Sequence, residues 1–454
     1  MTMTDQTVPA AAGDPKWAWA PYQPGDNRPW NLALAAHLLR RAGFAASWSD
    51  MQQALADGPQ RTVDRLLQPR AGFEELERGL EALEASLAIS ESAASDDCAE
   101  LWLYRMMQAR HPLLEKMALF WHGYLAIAGA RAGKASLMVR HVRLLRRHAL
   151  GRFDAMLRDV CRDPATLMAL DARVNRKASP ALEFAGALLG RYTLGAGAFG
   201  ETDVRDTARA FTGAAVVADE YRYLAHERDE AGKTVLGRQG DFSGEDVLRV
   251  LLAHPATPRF VVGRLYGWLI SETDVPAASL LAPLADSFGP DYDIAKLAGT
   301  MLRSNLFFSA GAYRQRVKSP LEFALGIAGA FEACVAAASL HRQLAGLGQQ
   351  LLEPPTREGW PGGRRWLNRF TLVGRSNLAA ELLAAQGSYA GKLDPQAVAA
   401  RHGSAEPGRI SRFLLELLVQ NDVPAEVAGQ LSQGPGDARQ LAHAIVALPE
   451  YQLA

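Results

Sequence analysis

Apolar residues recur three and four positions apart along most of the chain, the spacing at which one face of an α-helix meets a core. Asn31 to Ala42 (NLALAAHLLRRA) and Asp50 to Leu67 carry this pattern and stop at glycine or proline, which predicts two short helices. Leu76, Leu80, Leu83 and Leu87 repeat it from Phe73 to Ile89. In SPLEF, Ser319 is placed to cap a helix, Pro320 suits its first position, and Glu322 completes a capping box. SPALEF, from Ser179 to Phe184, repeats the idea with one residue inserted; both segments follow a lysine, Lys177 and Lys318, a weak internal echo. Thr202 is the expected cap of DVRDTARAF, Ser243 of GEDVLRVLLAH, and Thr257-Pro258 the start of a helix running through Trp268. Strand signals are scarce. AVVADEYRYLAHERDEAGKTVLG accommodates a short hairpin with its turn near Ala231-Gly232. The expected fold class is mainly α, a large multi-helix globular array with small irregular or β-hairpin insertions.

Composition narrows this picture. The 454 residues are 48% hydrophobic and 22% charged, and 49 basic residues balance 49 acidic ones. Disordered, collagen-like and disulfide-stapled classes are excluded, and binding of nucleic acid by bulk charge is disfavoured. The charge is nevertheless segregated. Glu74 to Glu100 is acidic, with Arg78 its only basic residue, and reads as a solvated amphipathic helix followed by a Ser-rich loop. Arg131 to Lys177 has twelve Arg or Lys against four Asp. The two segments either pair with each other or leave the second as an anion or nucleic-acid groove.

The N-terminus has no basic region leading into an apolar core, so no secretory signal is legible and the cytoplasm is the expected compartment. Proline, Trp17, Trp19, Tyr22 and Trp30 suggest an arm, residues 1–30, laid across the fold. Ala324 to Leu340 is the best membrane candidate, but Glu332 interrupts it, so it reads as a closely packed buried helix and no membrane span is expected. Cys98, Cys161 and Cys334 share no short spacing, which argues against a zinc knuckle or a redox pair.

Motifs for common chemistries are missing: HExxH, a Walker A loop, G-x-S-x-G and an EF-hand do not occur. YTLGAGAFGE has spaced glycines, but between helices rather than after a strand. His141 and His148 lie seven apart among Arg140, Arg143, Arg146 and Arg147, which suggests surface or anion contact. His122, in KMALFWHGYLA, is either a hydrogen-bonded core histidine or a ligand or general base. EPPTREGWPGGRRWLNRF, Glu353 to Phe370, is rich in turn residues and in tryptophan; it either plugs a core edge or walls a pocket.

Several ordered blocks carry a resemblance: HLLRRAGFA, KMALFWHGYLA, LRRHALGRF, ALDARVNRK, YTLGAGAFGETDVRDTARAFTG, GKTVLGRQGDFSGEDVLRVLLAHPATPRF, LRSNLFFSAGAYRQRVKSPLEF and EPPTREGWPGGRRWLNRFTLVGRSNLA. The chain resembles the bacterial domain of unknown function 1800 family, a large, mostly helical and uncharacterised group. The resemblance implies one helical family domain over residues 31–385, with 386–454 as a C-terminal helical extension packed on it. It also implies family context: members are often exported and encoded beside a sulfatase-like protein family.

Departures from the family pattern bear on function. The family's second histidine, two after the one matching His122, is Tyr124 here. Positions where the family carries amides, an arginine and carboxylates read Ala181, Leu182, Glu183, Gly186, Ala187 and Gly190, and a histidine-aspartate pair reads Arg228-Asp229. Alanine, leucine and glycine neither bind a metal nor move a proton. The expectation is a non-catalytic scaffold or binding protein, a pseudoenzyme without cofactor or metal, whose partner is another protein: an active relative or a sulfatase-like neighbour. One alternative is an enzyme with a rearranged centre drawn from His122, Tyr124, Glu183 and Asp229. The other is anion or nucleic-acid binding by the basic 131–177 segment. Candidate binding positions are Asp171, Asn175, Arg176, Arg205, Arg209, Trp360, Asn368, Arg375 and Asn377.

Overall fold

The computed structural model describes residues 13–90, 94–433 and 437–454. Within them helices dominate, and the strands form two separate two-stranded hairpins. Most of the buried apolar side chains belong to one continuous cluster. Residues 1–12 of the expected arm and 91–93 of the expected Ser-rich loop lie outside the described residues.

Local signals set many of the helix starts. Asn31 accepts the Leu34 N–H at 3.0 Å and opens the helix Leu32–Ala42. Ser47 caps Trp48–Leu66, two residues earlier than the apolar pattern predicts, and that helix kinks at Gly58-Pro59. Ser319 forms the expected capping box with Glu322, and Ser243, the expected cap, forms one with Asp246. The arm's described residues are pinned to the body: the Trp19 indole donates to Leu280 O at 2.7 Å and the Trp30 indole to Ala54 O at 3.0 Å.

Other expected boundaries are corrected. Ser179 caps nothing, because the inserted residue moves the start to Leu182, where Asn175 Oδ1 accepts the Ala181 N–H at 3.0 Å. Thr202 lies inside the helix Glu201–Ala210, which begins after Gly200 because Asp203 takes the Gly200 N–H at 2.8 Å. The helix expected from Thr257 spans Ala256–Leu269. The predicted turn at Ala231-Gly232 falls between two hairpins, Ala214–Val217 with Glu220–Tyr223 and Lys233–Val235 with Arg238–Gly240. The 324–340 stretch is two helices, Pro320–Ala330 and Ala337–Gly346, broken where Glu332 adopts a left-handed φ of 55°. No helix of the described residues is long and apolar enough to cross a membrane.

The helix Pro112–Leu125 is buried along nearly its whole length and organises its surroundings through opposite charges. On one side, Glu115 accepts from Arg146 at 2.8 Å and from the Trp102 indole at 3.1 Å. Arg146 continues to Glu77, and Arg143 binds Glu84 at 2.7 Å, while Arg105 bridges Glu77 and Glu84. These contacts clasp the helices Phe73–Ile89, Ser95–Met107 and Ala135–His148 around it. The acidic and basic segments therefore pair with each other, and Glu77 and Glu84 are drawn inward rather than solvated. Farther along the basic stretch, Arg131, Lys134, Arg140, Arg152 and Arg158 also have carboxylate partners.

The C-terminal helices bind back to the N-terminal ones. Arg40 donates to Gln420 at 2.9 Å and Arg314 to Asp422 O at 2.7 Å. Arg41, fully buried, donates to the carbonyls of Leu269, Ile270, Ala312 and Ala454. It thereby satisfies the C-terminal end of Ala256–Leu269 and fixes the loop that follows.

Candidate functional site

That loop forms one lip of a cleft of about 460 Å3. The floor comes from Phe120, Gly123 and Tyr124 of the central helix and from Trp268; the opposite wall is the glycine- and tryptophan-rich segment, through Trp360, Arg365 and Trp366. Of the two roles open to that segment, it walls a pocket. Gly359 (φ 92°) lets it approach: a Cβ there would lie 2.5 Å from Gly123 O. Glu272 holds the wall in place by accepting the N–H groups of Gly363 at 2.9 Å and Val317 at 2.8 Å.

Below the cleft lies a buried ion cluster. Lys116 and Arg316 both bind Glu322, which also accepts the Ser319 N–H at 2.8 Å. Burial alone would raise the Glu322 pKa, but Lys116 and Arg316 hold it well below the usual carboxylate range. Burial pulls Lys116 down to about 8, against the attraction of Glu322. Arg316 lies 4.5 Å from the Trp268 ring centroid and Arg264 lies 5.5 Å from that of Tyr124, so cations cover aromatic faces of the cleft.

His122 is fully buried, and neither ring nitrogen has a hydrogen-bond partner. It packs among Trp102, Trp360 and His141 at centroid distances of 5.6, 5.3 and 6.1 Å. Burial, reinforced by His141, lowers its pKa to about 3, so it is neutral at pH 7. The expectation of a hydrogen-bonded core histidine is thus half right: core, without the bonds. Of the expected surface or anion contact for His141 and His148, the surface placement fails for His141, which is buried, and the anions are the protein's own carboxylates: Asp163 at 2.8 Å from His141 and Asp159 at 2.7 Å from His148.

The other candidate residues fall into separate groups. The Tyr124 ring lines the cleft, but its hydroxyl donates to Tyr192 O at 2.8 Å, and burial raises its pKa. Arg131 joins Glu183 and Asp171, at 3.2 and 2.9 Å, and Glu183 also holds Arg357. Asp229 pairs with Arg209 at 2.7 Å, and Arg209 reaches Asp206 as well. Asn175 fastens its loop, donating to Ala208 O at 3.1 Å. Arg176, Arg205 and Asn377 are exposed; Asn368 caps the helix Arg369–Leu383; Arg375 is buried and donates to Lys318 O and Gln452. Of all these, Tyr124 and Trp360 line the cleft.

Among the described residues, no three or more His, Cys, Asp or Glu side chains are grouped so as to hold a metal ion. Sequence reasoning missed Trp268, Glu272, Arg316 and Arg365, which shape the cleft. Of these, Glu272 alone lay outside the segments singled out from the sequence: Arg365 is in the tryptophan-rich run, Arg316 in LRSNLFFSAGAYRQRVKSPLEF, and Trp268 in the helix expected from Thr257.

Comparison with curated proteins and with solved structures finds no match to either. The model of a family described as "Protein of unknown function (DUF1800)" matches residues 37–453. With nearly its whole length matched in this way, the chain belongs to the DUF1800 family.

Proposed function

We propose that the chain is a non-catalytic binding protein, a helical scaffold that takes a small ligand in the cleft between the central helix and the tryptophan-rich wall. One observation carries this reading: three of the four candidate groups for acid–base work are held apart by different internal partners, and the fourth, His122, is sealed in the core. Glu183 is tied to Arg131 and Arg357, Asp229 to Arg209, and the Tyr124 hydroxyl to a backbone carbonyl. A general acid or base must reach the substrate within a hydrogen bond, and these groups are engaged elsewhere. The cleft is lined by aromatic rings, with Arg264, Arg316 and Arg365 matched by Glu272, Asp274 and Glu358, chemistry that favours a flat ligand through stacking.

A second reading, an enzyme with a rearranged centre, draws support from the free nitrogens of His122 and the unpartnered Nε2 of His141. Trace-metal analysis of the purified protein, its His122→Ala variant and its Glu183→Ala variant separates the two. The binding-protein reading expects no stoichiometric metal in any of them. Stoichiometric metal that disappears with either substitution would overturn it.

A further inference from the structure

From Gly359 to Ala380 the chain carries four arginines and no acidic residue. Arg375 is buried, whereas Arg364, Arg365 and Arg369 are exposed, and none of these three takes part in an ion pair among the described residues. Beside them Phe370, Leu372 and Val373 are 73%, 46% and 61% exposed. Arg369 lies 4.7 Å from the centroid of the Phe370 ring. This is a tip, not a groove. Trp366 is buried as its anchor, Asn368 caps the helix by accepting the N–H groups of Phe370 and Thr371, and the helix packs inward from Gly374, which lies against Leu347. Three apolar side chains clustered in water beside unpaired arginines mark an interaction surface.

We propose that the 364–373 tip is a membrane-docking surface that seats on bilayers containing anionic phospholipid. A bilayer interface offers both things the tip asks for at once, headgroup phosphates for three guanidinium groups and an apolar layer just beneath for Phe370 and Val373. A protein partner would have to supply a pocket for a protruding apolar turn, ringed with carboxylates, which demands more of its shape. Arg365 and Trp366 belong to the cleft wall as well, and Val275, 97% exposed, sits between the lining residues Asp274 and Pro276 on the other lip. The inference stands on the tip alone and holds whether or not the cleft takes a ligand.

Co-sedimentation of the full chain with vesicles tests it. Two parts phosphatidylcholine to one part phosphatidylglycerol should bind the protein, with affinity falling as salt rises, and pure phosphatidylcholine should not. Arg364→Glu, Arg365→Glu and Arg369→Glu together should weaken binding by more than about 100-fold. Phe370→Ser with Val373→Ser should weaken it at least about tenfold. All five positions are exposed, so the melting temperature of each variant should match the parent. Failure of the parent protein to bind the anionic vesicles would overturn the proposal, as would equal binding to both vesicle types or undiminished binding by both variants. So would self-association without vesicles that the arginine variant abolishes, which would assign the tip to a protein contact.

Discussion

Gly359 presses its backbone onto the carbonyl of Gly123, so that the wall of the cleft touches the central helix at a contact between two glycines. The two positions are not equivalent. A Cβ on Gly359 would meet the Gly123 oxygen at 2.5 Å in a left-handed conformation, whereas a Cβ on Gly123 would meet the Trp360 ring at an ordinary 3.7 Å. Gly359→Ala should therefore destabilise the protein by about 1–3 kcal/mol and displace Trp360, seen as a change in tryptophan emission. Gly123→Ala, inside a helix, should be neutral or stabilising by up to about 1 kcal/mol. Thermal melts of the two variants check the asymmetry.

The buried Lys116–Glu322–Arg316 cluster predicts a second asymmetry. Glu322→Gln leaves buried Lys116 without its carboxylate and Arg316 with only Glu272, at 3.9 Å, and should cost about 3–5 kcal/mol. Lys116→Met leaves Glu322 still bound by Arg316 and the Ser319 N–H, so its cost should be less than half of that. Urea unfolding of both variants measures the difference, and equal losses would show that Arg316 does not compensate.

Acid should act strongly through the buried histidines. His122 has a folded pKa near 3 against an ordinary value of 6.5, and burial also lowers His37 and His111. The unfolded chain then binds these protons more tightly than the folded one. The stabilising effect is complete above pH 6.5 and is lost as pH falls towards 3, by about 1.4 kcal/mol per pH unit for each group titrating only in the unfolded state. His122→Leu removes two unpartnered polar atoms and should change stability little at pH 7. Below pH 6.5 the variant should lose stability less steeply than the parent. Parallel curves across that range, measured by denaturant unfolding, would place a partner on the imidazole.

How much of this was legible in the sequence follows from the range of each interaction. Ser243 and Ser319 revealed their helices because a cap acts on an N–H three residues away, whereas the helix after Asn31 showed through its apolar spacing. Ser179 misled because the N–H at the start of that helix is taken by Asn175, and Thr202 because Asp203 ties Gly200 and also accepts Leu236 N–H at 2.7 Å. The segregation of acidic from basic stretches raised pairing as one of two outcomes, but not that Glu84 joins Arg105 to Arg143 inside the fold. Nothing local signals that Arg316 will cover Trp268, or that Trp102, His141 and Trp360 will enclose His122. Those contacts arise only when distant helices pack.

Glu183 and Asp229, the two candidate carboxylates, serve as independent structural ties. A double-mutant cycle on Glu183→Ala and Asp229→Ala, read by urea unfolding, tests that independence most directly. Separate networks, Glu183 with Arg131 and Arg357 and Asp229 with Arg209, predict additive losses within about 0.5 kcal/mol. A coupling energy above about 1 kcal/mol would mean that the two carboxylates share one centre, and would contradict the account.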